Sequence, residues 1–187
     1  TVRFEPQVGA TDDFVAMAKS ISSTNSSPIT YSDVEEYAGR FTFRHEHCIL
    51  KIARDRIYSM AVHPSPSTIL LAGGTKTGEL ALWDATDAFQ SATSMPEDWS
   101  PRVFLFAPHG GSMSNLRFNP TRPSWLHTTA YDGASLTMDL EAGGTFTPWF
   151  TREAKDAAVT TGFDISADGQ LLFHSDTAGI LRCTDLR

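Results

Sequence analysis

The sequence predicts an all-β protein, built as an incomplete propeller of about three four-stranded blades behind a short helical and irregular N-terminal extension. Three observations predict it. From Cys48 onward, short runs of alternating or β-branched residues are separated by Gly, Pro, Asn and Asp. Three segments align with one another: Ile57 to Asp84, Met113 to Asp139, and Thr160 to Asp185. In each, a turn glycine (Gly78, Gly133, Gly179) stands six residues before a closing aspartate (Asp84, Asp139, Asp185), so two landmarks keep one register. An ordinary β-sandwich gives no reason for that match.

The extension covers residues 1–48. Thr11-Asp12-Asp13 can cap a short helix with Phe14, Met17, Ala18 and Ile21 on one face. Ser22 to Pro28 has the composition of a linker. Ser32 and Glu35 have capping-box spacing and lead into a second short helix that Gly39 would end. The first blade is expected over 49–107, with strands near Ile57 to Val62, Thr68 to Gly74, Glu79 to Asp84 and Arg102 to Ala107. Asp87 to Pro101 forms an acidic, Ser-rich excursion between its third and fourth strands. The second blade occupies 108–152, its fourth strand near Phe146 to Thr151, and a partial third blade of three strands occupies 153–187. No helix is expected in residues 57 to 187.

Four short strands per repeat, with Trp83-Asp84 closing the first, are the signature of WD-repeat propeller blades. A blade is a small twisted sheet with two apolar faces, which it buries only against neighbouring blades. The inward positions are read as Ile57, Met60 and Val62, then Leu116 and Phe118, then Phe163 and Ile165. Three blades do not close a ring, so an apolar face is expected to lie bare at each end of the arc, and the isolated chain is expected to be marginally stable or prone to aggregate.

Composition sets further bounds. Of 187 residues, 41% are hydrophobic and 20% charged, as in globular proteins. A net charge of −7 argues against a protein that coats nucleic acid, though not against a local basic patch. The two cysteines, Cys48 and Cys183, form no disulfide-like spacing, so a reducing, intracellular setting is expected. No apolar run reaches membrane-spanning length and no signal-peptide pattern opens the chain, so neither a membrane nor secretion is expected. The chain starts on Thr1 rather than Met, as a processed product or a piece of a longer one would.

Arg56-Ile57-Tyr58-Ser59-Met60-Ala61-Val62-His63-Pro64, followed by Ala72-Gly73-Gly74-Thr75-Lys76-Thr77-Gly78 and Leu82-Trp83-Asp84, resembles the first blade of the changed mutation rate (WD-repeat-containing protein 76) family. That family is related to the small subunit of the UV-damaged DNA-binding complex. Gly111 to Pro120, with Tyr131-Asp132-Gly133 and Met138-Asp139-Leu140, resembles its second blade, and the third repeat fits the third blade more loosely. The resemblance covers about residues 49 to 187. It implies a nuclear, seven-bladed propeller that binds single- and double-stranded DNA, prefers UV-damaged duplex and acts in DNA metabolism or the damage response. The apolar wedge that the damaged-DNA binder inserts beside a lesion has no identified counterpart here.

In a blade, the residue before the first strand and the turn before the third emerge near one rim, which makes Arg56 and Lys76 expected neighbours. The resemblance places the matching positions against DNA, where cations pair with phosphates and release counterions. Arg54 belongs to the same basic segment: residues 40–56 hold five basic side chains (Arg40, Arg44, Lys51, Arg54, Arg56) against two acidic ones (Glu46, Asp55). Ordinary solvated surface is the other reading of these charges. Tyr131 stands at the turn position of Lys76, where it can stack on an unpaired base or pack against the next blade. His45, His47 and Cys48 are close enough to share a metal, but no second cluster completes a zinc site, so no metal and no cofactor are expected. His109 reads as the loop histidine that bonds within a WD-type blade.

No catalytic motif is present. Gly110-Gly111-Ser112-Met113-Ser114 lacks the closing glycine of a nucleophile elbow, and Ala72-Gly73-Gly74 is not a phosphate loop, so the protein is expected not to be an enzyme. The alternative function is a protein-interaction propeller, such as a ubiquitin-ligase substrate receptor. Asp185-Leu186-Arg187 resembles the Asp-x-Arg ending of a docking motif for a ligase adaptor, with Thr184 in place of the expected Trp. Chromatin and adaptor proteins are the partners that reading adds to DNA.

Overall fold

The computed structural model describes residues 35–36, 38–39, 51–90, 101–151 and 158–187. The chain divides into two compact units, Thr1–Arg44 and His45–Arg187. In the first, Glu35, Glu36, Ala38 and Gly39 are helical and exposed, where the second short helix is expected. The expected first helix, the Ser-rich linker and the His45 to Cys48 cluster lie outside the described residues.

The second unit is three antiparallel meanders. β1 (Ile57–Val62), β2 (Leu70–Thr75), β3 (Leu80–Asp84) and β4 (Arg102–Phe106) pair in chain order. β5 (Met113–Phe118), β6 (Trp125–Ala130), β7 (Ala134–Asp139) and β8 (Thr145–Thr151) do the same, and β9 (Thr160–Ile165), β10 (Leu171–Asp176) and β11 (Leu181–Asp185) form a three-stranded sheet. The first strands of the three sheets lie side by side, β5 between β1 and β9, which is the order of blades in an arc. One expectation is corrected: α1 (Thr86–Gln90), a helix of five residues, opens the excursion after β3. Thr86 follows the strand's last hydrogen bonds, so a turn of helix forms there without taking a ladder partner from any blade.

Both landmarks have a local physical cause. At the turn after each second strand, the glycine N–H donates back three residues: Gly78 to Thr75, Gly133 to Ala130 and Gly179 to Asp176. The glycine itself sits at φ 86°, 87° and 77°, the left-handed conformation that closes such a hairpin. The closing aspartates turn the chain after the third strand by accepting backbone N–H groups two residues on: Thr86 to Asp84, Glu141 to Asp139 and Arg187 to Asp185.

Packing between blades makes the core. Met113, Leu116, Phe118, Leu126, Ala130 and Met138 of the second blade meet Ala72, Leu80 and Leu82 of the first. Each large side chain so buried contributes roughly 1.5–3 kcal/mol. The second and third blades meet through a more polar seam. Asn115 donates to the Phe163 carbonyl (2.7 Å), buried Asn119 to the Gly169 carbonyl (3.0 Å), and Arg117 pairs with Asp164 (3.0 Å). Aromatic edges fill the rest: Trp149 lies 5.7 Å from Phe163 and 5.3 Å from His174, and Phe150 lies 4.5 Å from His174.

The inward reading of β1 needs correction. Met60 and Val62 are 66% and 62% exposed, whereas Leu116 and Phe163, the counterparts of Met60, are buried. The reason is position: these side chains face the side on which a preceding blade would lie. Part of that face is covered locally by a second cluster in which Ile52, Ile69, Leu71 and Val103 pack on Trp83, Ala85 and Ala88. At the other end of the arc, Leu181 is 71% exposed.

Gly78 and Gly179 share a conformation but not an environment. A Cβ on Gly78 would stand 2.1 Å from the His109 carbonyl oxygen, while one on Gly179 meets nothing within 4 Å. Gly179→Ala is therefore expected to cost about 1–2 kcal/mol for the backbone alone, and Gly78→Ala well over twice as much, read by urea denaturation.

The seam also sets an acid limit. Burial pushes the pKa of His127 down from 6.5 to about 4, and lowers those of His109 and His174 in the same direction. Between pH 6.5 and about 4 the unfolded chain holds a proton at residue 127 that the folded one refuses, so stability present above 6.5 drains away as the pH falls through that window. For His127 alone this amounts to about 3 kcal/mol. His127→Gln should flatten the fall in melting temperature between pH 7 and 4.5.

Candidate nucleic-acid interface

One backbone hydrogen bond recurs in all three blades and builds the rim. The carbonyl just before the first strand accepts the N–H of the residue that opens the turn: Arg56 from Lys76 (2.9 Å), Ser112 from Tyr131 (2.9 Å), Val159 from Thr177 (3.0 Å). Arg56 and Lys76 are therefore adjacent, as their spacing predicts, and among these three pairs only that of the first blade is doubly cationic. The Arg54 side chain, 84% exposed, lies on the same side with its Nε 3.8 Å from Glu79 Oε1. Asp55 accepts the Arg56 N–H at 2.7 Å. Two carboxylates, Glu79 and Asp55, thus offset part of the charge of Arg54, Arg56 and Lys76.

The rims of the first two blades are tied together by His109. Its ring is buried; Nδ1 lies 3.2 Å from Asp132 Oδ2 and Nε2 lies 2.8 Å from Thr128 Oγ1. A carboxylate only accepts, so Nδ1–H donates to Asp132 and Nε2 accepts from the Thr128 hydroxyl. Burial lowers the His109 pKa more than Asp132 raises it, so the ring acts as a neutral strut. The His109 N–H points at the Gly78 carbonyl (3.4 Å) and the Gly110 N–H at Asp132 (2.8 Å), which links the turn bearing Lys76 to the turn bearing Tyr131. Of the two environments open to Tyr131, the structure gives the exposed one, at 55%.

Tyr58 is an exposed aromatic of this region that the sequence reading passed over. The Arg56 guanidinium carbon sits 5.9 Å from its ring centroid, within cation–π range. Apolar alternation gives no warning of it, because Tyr58 falls on a bulge.

Asp185 and Arg187 stand elsewhere, at the opposite end of the third blade's strands. They are paired with each other: Arg187 Nε donates to Asp185 Oδ1 (3.0 Å) and Nη2 to Oδ2 (2.7 Å), and these bonds hold the Asp185 pKa at about 2. The Leu186 N–H between them donates to the Gln170 carbonyl. Among the described residues, no group of three or more His, Cys, Asp or Glu is placed to hold a metal ion.

Repeated antiparallel four-stranded sheets, a Gly-to-Asp register and a loop histidine bonded into the strand-two side of the sheet define a WD-repeat protein of the propeller class. No protein-family model matches the chain. It is 30% identical over 141 residues to DNA damage-binding protein CMR1 of Coccidioides immitis, covering 74% of the chain and 27% of that protein. It is 26% identical over 148 residues to the protein of the same name from Emericella nidulans, covering 74% and 28%. WD repeat-containing protein 76 of Xenopus laevis is 30% identical over 142 residues, covering 76% and 22%. The chain is a homologue of these WD-repeat proteins and spans about a quarter of the length of the relatives it matches.

Because Asp132 satisfies His109, Gly110 and Ala134 at once, Asp132→Ala is expected to cost about 2 kcal/mol by leaving the Nδ1–H of a buried ring unpaired. Asp139→Ala, which frees only exposed N–H groups of Glu141 and Ala142, should cost less than half of that in the same urea titration.

Proposed function

We propose that this chain contributes a DNA-binding rim to a nuclear WD-repeat protein of the DNA damage response, engaging single- and double-stranded DNA and favouring UV-damaged duplex. It acts by binding, without catalysis. The observation that carries the reading is the Lys76 N–H to Arg56 C=O bond, which makes two cation-bearing residues backbone neighbours. Arg54 adds a third charge and Tyr131 an exposed ring one blade away. Cations so placed suit phosphates, whose neutralisation releases counterions, while an exposed ring suits a base. The names of the homologues favour the same ligand.

The protein-binding alternative, with Asp185 and Arg187 docking a ubiquitin-ligase adaptor, is favoured by the exposure of both side chains, 49% and 66%. It calls for opening an ion pair that the chain already closes on itself, which places it second.

Reversal of charge at both cations separates the two. In the intact protein, Arg56→Glu with Lys76→Glu is expected to weaken single- and double-stranded DNA alike, because phosphate contacts carry little sequence information. The slope of log affinity against log salt on duplex should shrink by about two units. Unchanged affinity and slope in a double variant with a normal melting temperature would remove the rim from the site and leave the protein-binding reading.

A further inference from the structure

The first strand of every blade carries a bulge at the same place. Pairing skips one residue between Ile57 and Ser59 in β1, between Met113 and Asn115 in β5, and between Thr160 and Gly162 in β9. The skipped residues are Tyr58, Ser114 and Thr161. A bulge re-aims its side chain out of the pleat. In the second and third blades that side chain is small and is used up locally: Ser114 Oγ meets Thr129 Oγ1 (2.9 Å) and the Thr160 carbonyl of the following blade (3.3 Å), and Thr161 Oγ1 meets Ser175 Oγ (3.2 Å). The first blade puts a tyrosine there instead.

Tyr58 is 55% exposed. That exposure is not a product of the arc's open end. Ser114 reaches toward the blade that follows it, and the blade that follows Tyr58 is present, with Met113 accepting from the neighbouring Ser59 hydroxyl. The ring instead stands at the rim beside Arg56, whose guanidinium carbon is 5.9 Å from its centroid. Arg56 is bonded in turn to the turn that bears Lys76.

We infer that Tyr58 is a base-stacking platform, so that the rim takes an unpaired nucleobase of single-stranded DNA and not the phosphate backbone alone; the inference rests on the DNA-binding reading above. A base laid on the ring lies beside Arg56 and Lys76, which hold the strand's phosphates whether or not the base is stacked. Base–aromatic stacking tolerates any sequence, because every base has a π-face. In a duplex the bases already stack on one another, so the ring contributes only where a base is unpaired.

The test compares oligo(dT) with a duplex of equal length, by fluorescence anisotropy over a series of salt concentrations, in the intact protein. Tyr58→Ser installs the residue that the second blade carries at this position, and so keeps the bulge. It is expected to weaken oligo(dT) binding about tenfold or more, leave the duplex within about twofold, and leave the salt slope unchanged; Tyr58→Phe should bind oligo(dT) as the wild type does. An equal loss on both ligands, a reduced slope, or no loss at all would overturn the stacking role while the wild type still binds DNA. A wild-type protein that binds neither ligand would instead overturn the DNA-binding reading itself.

Discussion

Met113, Leu116 and Phe118 lie between two sheets, neither of which has a core of its own, and the structure depends on that constraint. A four-stranded sheet with two apolar faces becomes stable only when a second sheet covers it. The first strand of each blade therefore lies against the first strand of the next, and every rim loop is brought beside its counterpart in the neighbouring blade. The rim's chemistry is a by-product of core burial: once β5 has docked on β1, the turns bearing Lys76 and Tyr131 are neighbours.

The two seams solve the same problem with different chemistry. Between the first and second blades the packed core is apolar, and the buried imidazole of His109 stands at its rim. Between the second and third, Asn119, His127 and His174 are buried among aromatic edges and hydrogen bonds. Both ring nitrogens of His174 lack hydrogen-bond partners among the described residues. Buried imidazoles exclude protons in exchange for a shape that fits, and the second seam, with His127 and His174, carries two of them against His109 at the first.

At the rim, geometry and charge come from separate sources. The recurring bond from the turn N–H to the pre-strand carbonyl is pure backbone and sets position in all three blades. Side chains then decide what each position can do: two cations in the first blade, a serine and a tyrosine in the second, a valine and a threonine in the third. A scaffold that repeats and a surface that does not is how a propeller confines binding to one sector.

The sequence by itself determined the repeat, the strand order and the adjacency of Arg56 and Lys76, because turn glycines, closing aspartates and alternation are local signals that each blade writes for itself. It also marked His109 as a loop histidine, since the residues it bonds lie within its own blade. Only the tertiary structure decided that Met60 and Val62 are open while Leu116 and Phe118 at the same repeat positions are sealed, because burial belongs to the neighbour and not to the strand. Helix α1 escaped the reading because five residues carry too short a period to be seen. Tyr58 escaped it because a bulge breaks the alternation that assigns side chains to faces, and which way a bulged ring points is settled by the packing around it.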